Sequence, residues 1–322
     1  MFALGTMLLM SAGLRMADDA APAPTVPSSP EEAATSPEAV PVPETAAAPA
    51  PEAAVVPATP ATPVVPDAAD EARFDWVRVP AGSYVRGCTP GQADLCHKSE
   101  RPAHEVTVSY DLWVGRTEVT QGQYKAVMGD TPHTFEGCGA DCPVETVSWF
   151  DAVRFANALS DKEGLEACYV VDGTTVSWPK GAACMGYRLP TEAEWEHAAR
   201  GGQDLPYGHT ASVDEAGWTV SNAGGRPHPA ATLAPNAYGI HDMVGNVWEW
   251  TWDWKGKYSK KSVTDPTGPD APSKKEPRRM LRGGSWAMFT SVATVATRNS
   301  HAPNRADPNT GIRLVRTAAA DQ

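Results

Sequence analysis

A break in composition near residue 72 limits what this chain can fold into. All 11 tryptophans and all 6 cysteines lie beyond it. Residues 18–72 are almost wholly Ala, Pro, Glu, Val, Thr and Ser, with no aromatic residue and no Lys or Arg. Such a stretch has too little to bury to offset the entropy of ordering, and it is expected to stay extended or disordered. The 250 residues after it are enough to bury most of their apolar surface as one domain. Three regions follow: 1–17 as a leader, 18–72 as a proline-rich linker and 73–318 as the folded domain. Proline-rich spacers are semi-rigid, so the linker would hold the domain away from a membrane or a partner module.

The formal net charge is −12, much of it from acidic residues of the linker. With no clustered basic face, nucleic acid is excluded as a partner. The lysines at 255–261 and the cluster Lys274, Lys275, Arg278, Arg279 lack interleaved aromatic residues and read as solvated loop ends.

Residues 2–14 form a short apolar run, too short to span a bilayer, which takes ~20 residues. Its length suits the core of a signal peptide, although no Lys or Arg precedes it. A truncated membrane anchor that tethers the protein, or an apolar start to a cytosolic chain, are the alternatives. The cysteines fall in three close pairs: Cys88 with Cys96, Cys138 with Cys142, and Cys168 with Cys184. Close pairs in even number suit disulfides and an oxidising compartment. No Cys-x-x-Cys occurs, which argues against a zinc site. The protein is therefore read as exported, periplasmic or at the cell surface.

Three helices are announced by their starts. Thr120, Ser148 and Thr191 are each followed three residues later by a side chain that can reach back: Gln123, Asp151 and Glu194. Asp151 makes the loosest match, being shorter than Glu. Gly129 and Gly201-Gly202 end the first and third. Residues 76–80, 83–86 and 106–114 read as strands. The stretches 207–236 and 255–278 show no period.

Six blocks follow in order: Val79-Pro80-Ala81-Gly82-Ser83-Tyr84; Glu118-Val119-Thr120-Gln121; Pro143-Val144-Glu145-Thr146-Val147-Ser148-Trp149; YRLPTEAEWE at 187–196; NAYGIHDMVGNVWEW at 236–250; and LRGGSW at 281–286, closed by GIRL at 311–314. Together they span about 240 residues and resemble the formylglycine-generating enzyme, or sulfatase-modifying factor, family. The resemblance implies an α+β fold, a variant of the C-type lectin fold with few regular elements and much irregular loop. Trp248, Trp250, Trp252 and Trp254 share one parity, and Glu249, Thr251 and Asp253 take the other. We read the indoles as core packing rather than as a sugar-stacking platform.

On the oxygen side the resemblance implies a structural calcium. It would be held by the side chains of Asp242 and Glu249 and the carbonyls of Gly245 and Val247, since calcium takes six to eight oxygens. The family's oxidase holds copper between two thiolates that follow the Gly-Gly-Ser-aromatic block. Here Met288 and Ala293 stand at those places, so no copper is expected. No catalytic residue is assigned. The non-haem-iron chemistry of other relatives has no counterpart, since no His precedes His97. His228 and His301 are read as structural or surface residues. The leading expectation is a non-catalytic binding or accessory module for a peptide, glycan or cell-envelope component. Its cleft candidates are Trp286, Arg298, Asn299, Asn304 and Arg313. The alternative is a formylglycine-generating-type oxidoreductase or other protein-modifying metalloenzyme with an altered site.

Overall fold

Three reciprocal caps fix the helices. A computed structural model describes residues 73–135 and 137–319, so the expected leader and the whole linker lie outside the described residues. Helix α1 (Gln121–Met128), α2 (Trp149–Lys162) and α3 (Glu192–Arg200) each begin with the anticipated capping box. The short Asp151 still reaches: its Oδ2 accepts from the Ser148 amide at 3.0 Å. Gly129 and Gly201 end their helices in the left-handed region, at φ 83° and 58°, where a side chain would be strained. A single turn, α4, covers Val213–Ala216.

The strands are short. They are β1 (Trp76–Val79), β2 (Gly82–Arg86), β3 (His104–Val108), β4 (Leu112–Gly115), β5 (Val170–Asp172), β6 (Thr175–Ser177), β7 (Gly217–Trp218), β8 (Val244–Gly245), β9 (Trp248–Trp254), β10 (Val263–Thr264), β11 (Arg279–Arg282), β12 (Arg298–His301), β13 (Thr310–Gly311) and β14 (Val315–Thr317). They form sheets ordered β1-β4-β14, β10-β3-β2 and β12-β11-β9-β13, with two further pairs, β5-β6 and β7-β8. The expected strand at 106–114 is two strands. The chain turns between them because Asp265 accepts from the Ser109 amide at 2.8 Å and Asp111 accepts from the Ala81 amide at 2.7 Å.

Both parities of β9 turn inward. Trp248 and Trp250 are buried, and so are Glu249, Thr251 and Asp253. The strand lies between β11 and β13, which pair both its edges, and only Trp252 and Trp254 are partly open to solvent. Trp250 donates its indole N–H to the Val147 carbonyl at 3.0 Å. The Arg279 guanidinium sits over three indoles, 3.9 Å from the Trp149 ring, 4.7 Å from Trp252 and 3.5 Å from Trp254, where each ring quadrupole attracts it. The three cysteine pairs are disulfides with the nearest-neighbour connectivity: Cys88–Cys96, Cys138–Cys142 and Cys168–Cys184.

The largest fully buried side chains include three tryptophans, Trp149, Trp195 and Trp250, alongside three arginines, Arg188, Arg282 and Arg313. A buried arginine is tolerable only when its donors are matched, and each of these finds a glutamate: Glu194, Glu196 and Glu249 respectively. Trp250→Ala should empty the largest share of one core and cost about 3–5 kcal/mol. Thermal and urea unfolding of the variant measure it, and a loss below ~1 kcal/mol would contradict this packing.

Candidate functional site

Segment 283–297 leaves β11 and returns as β12. It begins with Gly283 and Gly284, both left-handed at φ 95° and 85°. A Cβ at Gly283 would lie 3.2 Å from the Trp195 ring, and one at Gly284 would lie 3.8 Å from both Met288 Cγ and Ala293 Cβ. The pair at the expected thiolate positions therefore flanks Gly284. Ala293 is fully buried and Met288 partly so. The Met288 carbonyl accepts from the Val220 amide at 3.0 Å. Val220 and Phe289 are exposed apolar residues, 50% and 70% accessible. Trp286 donates its indole N–H to the Pro308 carbonyl and meets Phe135 edge-on at 5.4 Å. Segment 283–297 thus has an apolar, aromatic rim.

The residues do not suit a copper held by two thiolates. Copper(I) prefers soft sulfur donors, and this segment supplies one thioether and one methyl group. All six cysteines are tied in disulfides.

Behind the segment lies a set of buried carboxylates. Glu249 accepts from Arg313 Nη2 at 2.8 Å and from the Trp195 indole. Glu118 accepts from the Asn246 amide group at 2.9 Å and the Val247 amide at 3.2 Å. Asp242 accepts from the Ala231 amide at 2.8 Å through Oδ2, while its Oδ1 is buried without a hydrogen-bond partner. Burial raises Glu118 well above the usual carboxylate range, and the neighbouring Asp242 and Glu249 raise it further. Burial likewise raises Asp242. Arg313 is the guanidinium that faces all three acids, so the set is short of positive charge. Glu118 was not among the sequence candidates, although it opens one of the motif blocks. Among the described residues no three His, Cys, Asp or Glu are grouped to hold a metal, so backbone carbonyls would have to complete any calcium shell.

The five cleft candidates are not brought together. Trp286 is half-exposed at the rim and Asn304 is exposed. Asn299 lies on β12 opposite Leu281. Arg313 is buried with Glu249, donating also to the Gly115 and His241 carbonyls at 2.8 and 2.9 Å. Arg298 donates to Glu192 and to the Ser99 and Gly256 carbonyls. These guanidiniums hold the fold. His228 donates to the Ala223 carbonyl and stacks on Trp218 at 3.8 Å; His301 lies 2.9 Å from Asp307. The two histidines have separate partners.

Arg298 also lines a cavity of about 400 Å3, with Arg86, His104, Glu192, Asp253 and Tyr258. Burial acts against the Glu192 carboxylate, but Arg298 and Arg86 hold it down to about 2. Asp253 has the opposite fate. Burial, then the charge on Glu192, push it up to about 7.

Comparison with known proteins agrees with this geometry. The family described as "Sulfatase-modifying factor enzyme 1-like domain" matches residues 62–318. The chain is similar to the chaperone protein LppX of Paenibacillus barcinonensis, 34% identical over 260 residues, covering 70% of this chain and 87% of the relative. It is 30% identical over 304 residues to the formylglycine-generating enzyme of Streptomyces coelicolor, covering 79% and 92%. Among solved structures, Treponema denticola variable protein 1 superposes with a TM-score of 0.68 at 33% identity, covering 76% and 95%.

The raised Asp253 predicts a pH dependence. Its native form holds the proton more tightly than the unfolded chain does, so this group's contribution is full below pH ~4 and is lost as pH rises towards 7. Asp253→Asn should therefore raise the unfolding temperature at pH 8 and leave it little changed at pH 4, as scanning calorimetry at both pH values would show. Equal shifts would show that Asp253 has the same proton affinity in the native and unfolded protein.

Proposed function

The chain belongs to the sulfatase-modifying factor enzyme 1-like family, and from that premise we propose that it is an exported, non-catalytic member whose segment 283–297 binds a ligand instead of oxidising one. One observation carries the reading. The two side chains that flank Gly284 are a thioether and a buried methyl group, at the positions where the resemblance leads one to expect copper-binding thiolates. What surrounds it instead is adhesive: Trp286, Phe289 and Val220 present apolar surface beside a backbone held by its own hydrogen bonds. Aromatic residues at an exposed rim favour recognition of a peptide or a glycan of the cell envelope. The three disulfides support export to an oxidising compartment, and the length of the N-terminal apolar run suits a signal peptide.

Calcium belongs to the same reading. Asp242 Oδ1, Glu249 and the carbonyls of Gly245 and Val247 would hold it. The support is the partnerless oxygen and the surplus of buried acid over base around Arg313. A bound cation would supply the missing positive charge and pin loop 242–249 beneath the segment.

Two outcomes are expected. The purified protein, incubated with a Cys-x-Pro-x-Arg sulfatase peptide and copper, should consume no oxygen above the peptide-free control. Turnover of the peptide cysteine to an aldehyde would end the non-catalytic reading. Removal of calcium with a chelator should lower the unfolding temperature by roughly 5–10 °C, and Asp242→Ala should abolish that calcium dependence. An unfolding temperature indifferent to both would remove calcium from the account.

A further inference from the structure

A second cavity, of about 350 Å3, lies between β2, the C-terminal half of α3 and residue 238. Its volume is in the range of small-ligand sites, and it shares no lining residue with segment 283–297. The capped start of α3 sets the helix phase, and that phase brings His197 and Arg200 to this side. The His197 ring lies 5.3 Å from the Tyr84 ring and 6.2 Å from the Tyr238 ring. Tyr84 is locked, since its hydroxyl donates to the Ala193 carbonyl at 2.7 Å. Tyr84 and Tyr238 are both half-buried, so each keeps part of its surface open.

The polar groups have defined roles. His197 Nε2 lies 2.9 Å from the Pro80 carbonyl. A carbonyl only accepts, so Nε2 carries the proton and Nδ1 keeps a free lone pair. Burial lowers the imidazole pKa, which keeps the ring neutral. At the rim, Asp204 accepts from Arg200 Nη1 at 3.3 Å and from the Gly91 amide at 3.2 Å. Gln203 is exposed beside them. Gly202, at φ 75°, has no side chain to crowd the Tyr238 hydroxyl; a Cβ there would stand 3.4 Å from it.

We propose that this cavity binds a neutral monosaccharide unit of a glycan. A pyranose ring has an apolar C–H face and a rim of hydroxyls that both donate and accept. The C–H face suits the Tyr84 and Tyr238 rings. The hydroxyls suit the imidazole acceptor, the Asp204 carboxylate and the exposed Gln203 amide. A charged ligand would meet Asp204 and Arg200 together and gain little net attraction. A wholly apolar ring would strip water from those groups and return no hydrogen bond. The cavity stands apart from segment 283–297, so turnover of a sulfatase peptide would sink the earlier reading and leave this one untouched.

The test uses the full chain and a panel of methyl glycosides of glucose, galactose, mannose and N-acetylglucosamine, with glucuronic acid as the charged comparison. Saturation-transfer NMR and calorimetry report binding. At least one neutral glycoside should bind with a Kd of roughly 1 mM or tighter. Tyr238→Ala should weaken it by about tenfold and Tyr238→Phe should preserve it. Gln203→Ala, at an exposed position that leaves the fold intact, should weaken it by about threefold or more and serves as the probe if Tyr238→Ala unfolds. Binding of none of the neutral glycosides below about 10 mM, binding of glucuronic acid alone, or affinities unchanged in the folded variants would each overturn the proposal.

Discussion

The structure depends on getting three glutamates of one helix out of water without leaving a charge unpaired. Glu192, Glu194 and Glu196 of α3 are all buried. Glu194 takes Arg188 through two bonds of 2.7 Å. Glu196 takes Arg282 at 2.6 Å and Arg200 at 2.7 Å. Glu192 pairs with Arg86 at 2.9 Å and with Arg298. Removing one partner from such a set strands a buried charge at a cost of about 3–5 kcal/mol. Those arginines come from β2, β11 and β12 as well as from around the helix. The network therefore ties α3 to two different sheets, which is more than the helix's few apolar residues could do.

This constraint also fixes where segment 283–297 begins and ends. Arg282 ends β11 and Arg298 opens β12, and both are clamped to α3. The segment is thus fixed at its two ends, and of the residues between them only 286–292 are open to solvent. Loops held this way accept variation in the middle because few contacts there support the core. The last third of the segment is different: Ala293 and Val295 pack in a core cluster with Trp195, and Thr294, Ala296 and Thr297 are buried too. The Ala293 methyl group is there for packing.

Irregular backbone on this scale needs cross-braces, and the protein has three kinds. Disulfides pin loops near the surface. Indoles collect around Arg279 at one end of β9. Buried acids with Arg313 gather at the other. The last set has more acid than base, and it lies beside Gly284, where a Cβ would be 3.7 Å from the Gly245 amide nitrogen. An electrostatic deficit next to an exposed apolar rim is where a bound cation would alter the shape of the segment most.

Local chemistry was legible from residue order. Each helix start rests on hydrogen bonds between residues three apart, as in Thr191 with Glu194, and each disulfide closes a short loop. Such contacts form with little loop-closure entropy, so neighbouring residues announce them. The α+β class and the family blocks were legible too. What only the tertiary structure decided is where the charges go. Arg298 and Arg313, expected at a cleft, were taken by Glu192 and Glu249, 106 and 64 residues away. Glu118 met the Val247 amide across 129 residues. His197, Tyr84 and Tyr238 came together from three separate segments. A charged side chain carries no mark of its partner, because burial selects that partner only once the sheets have packed.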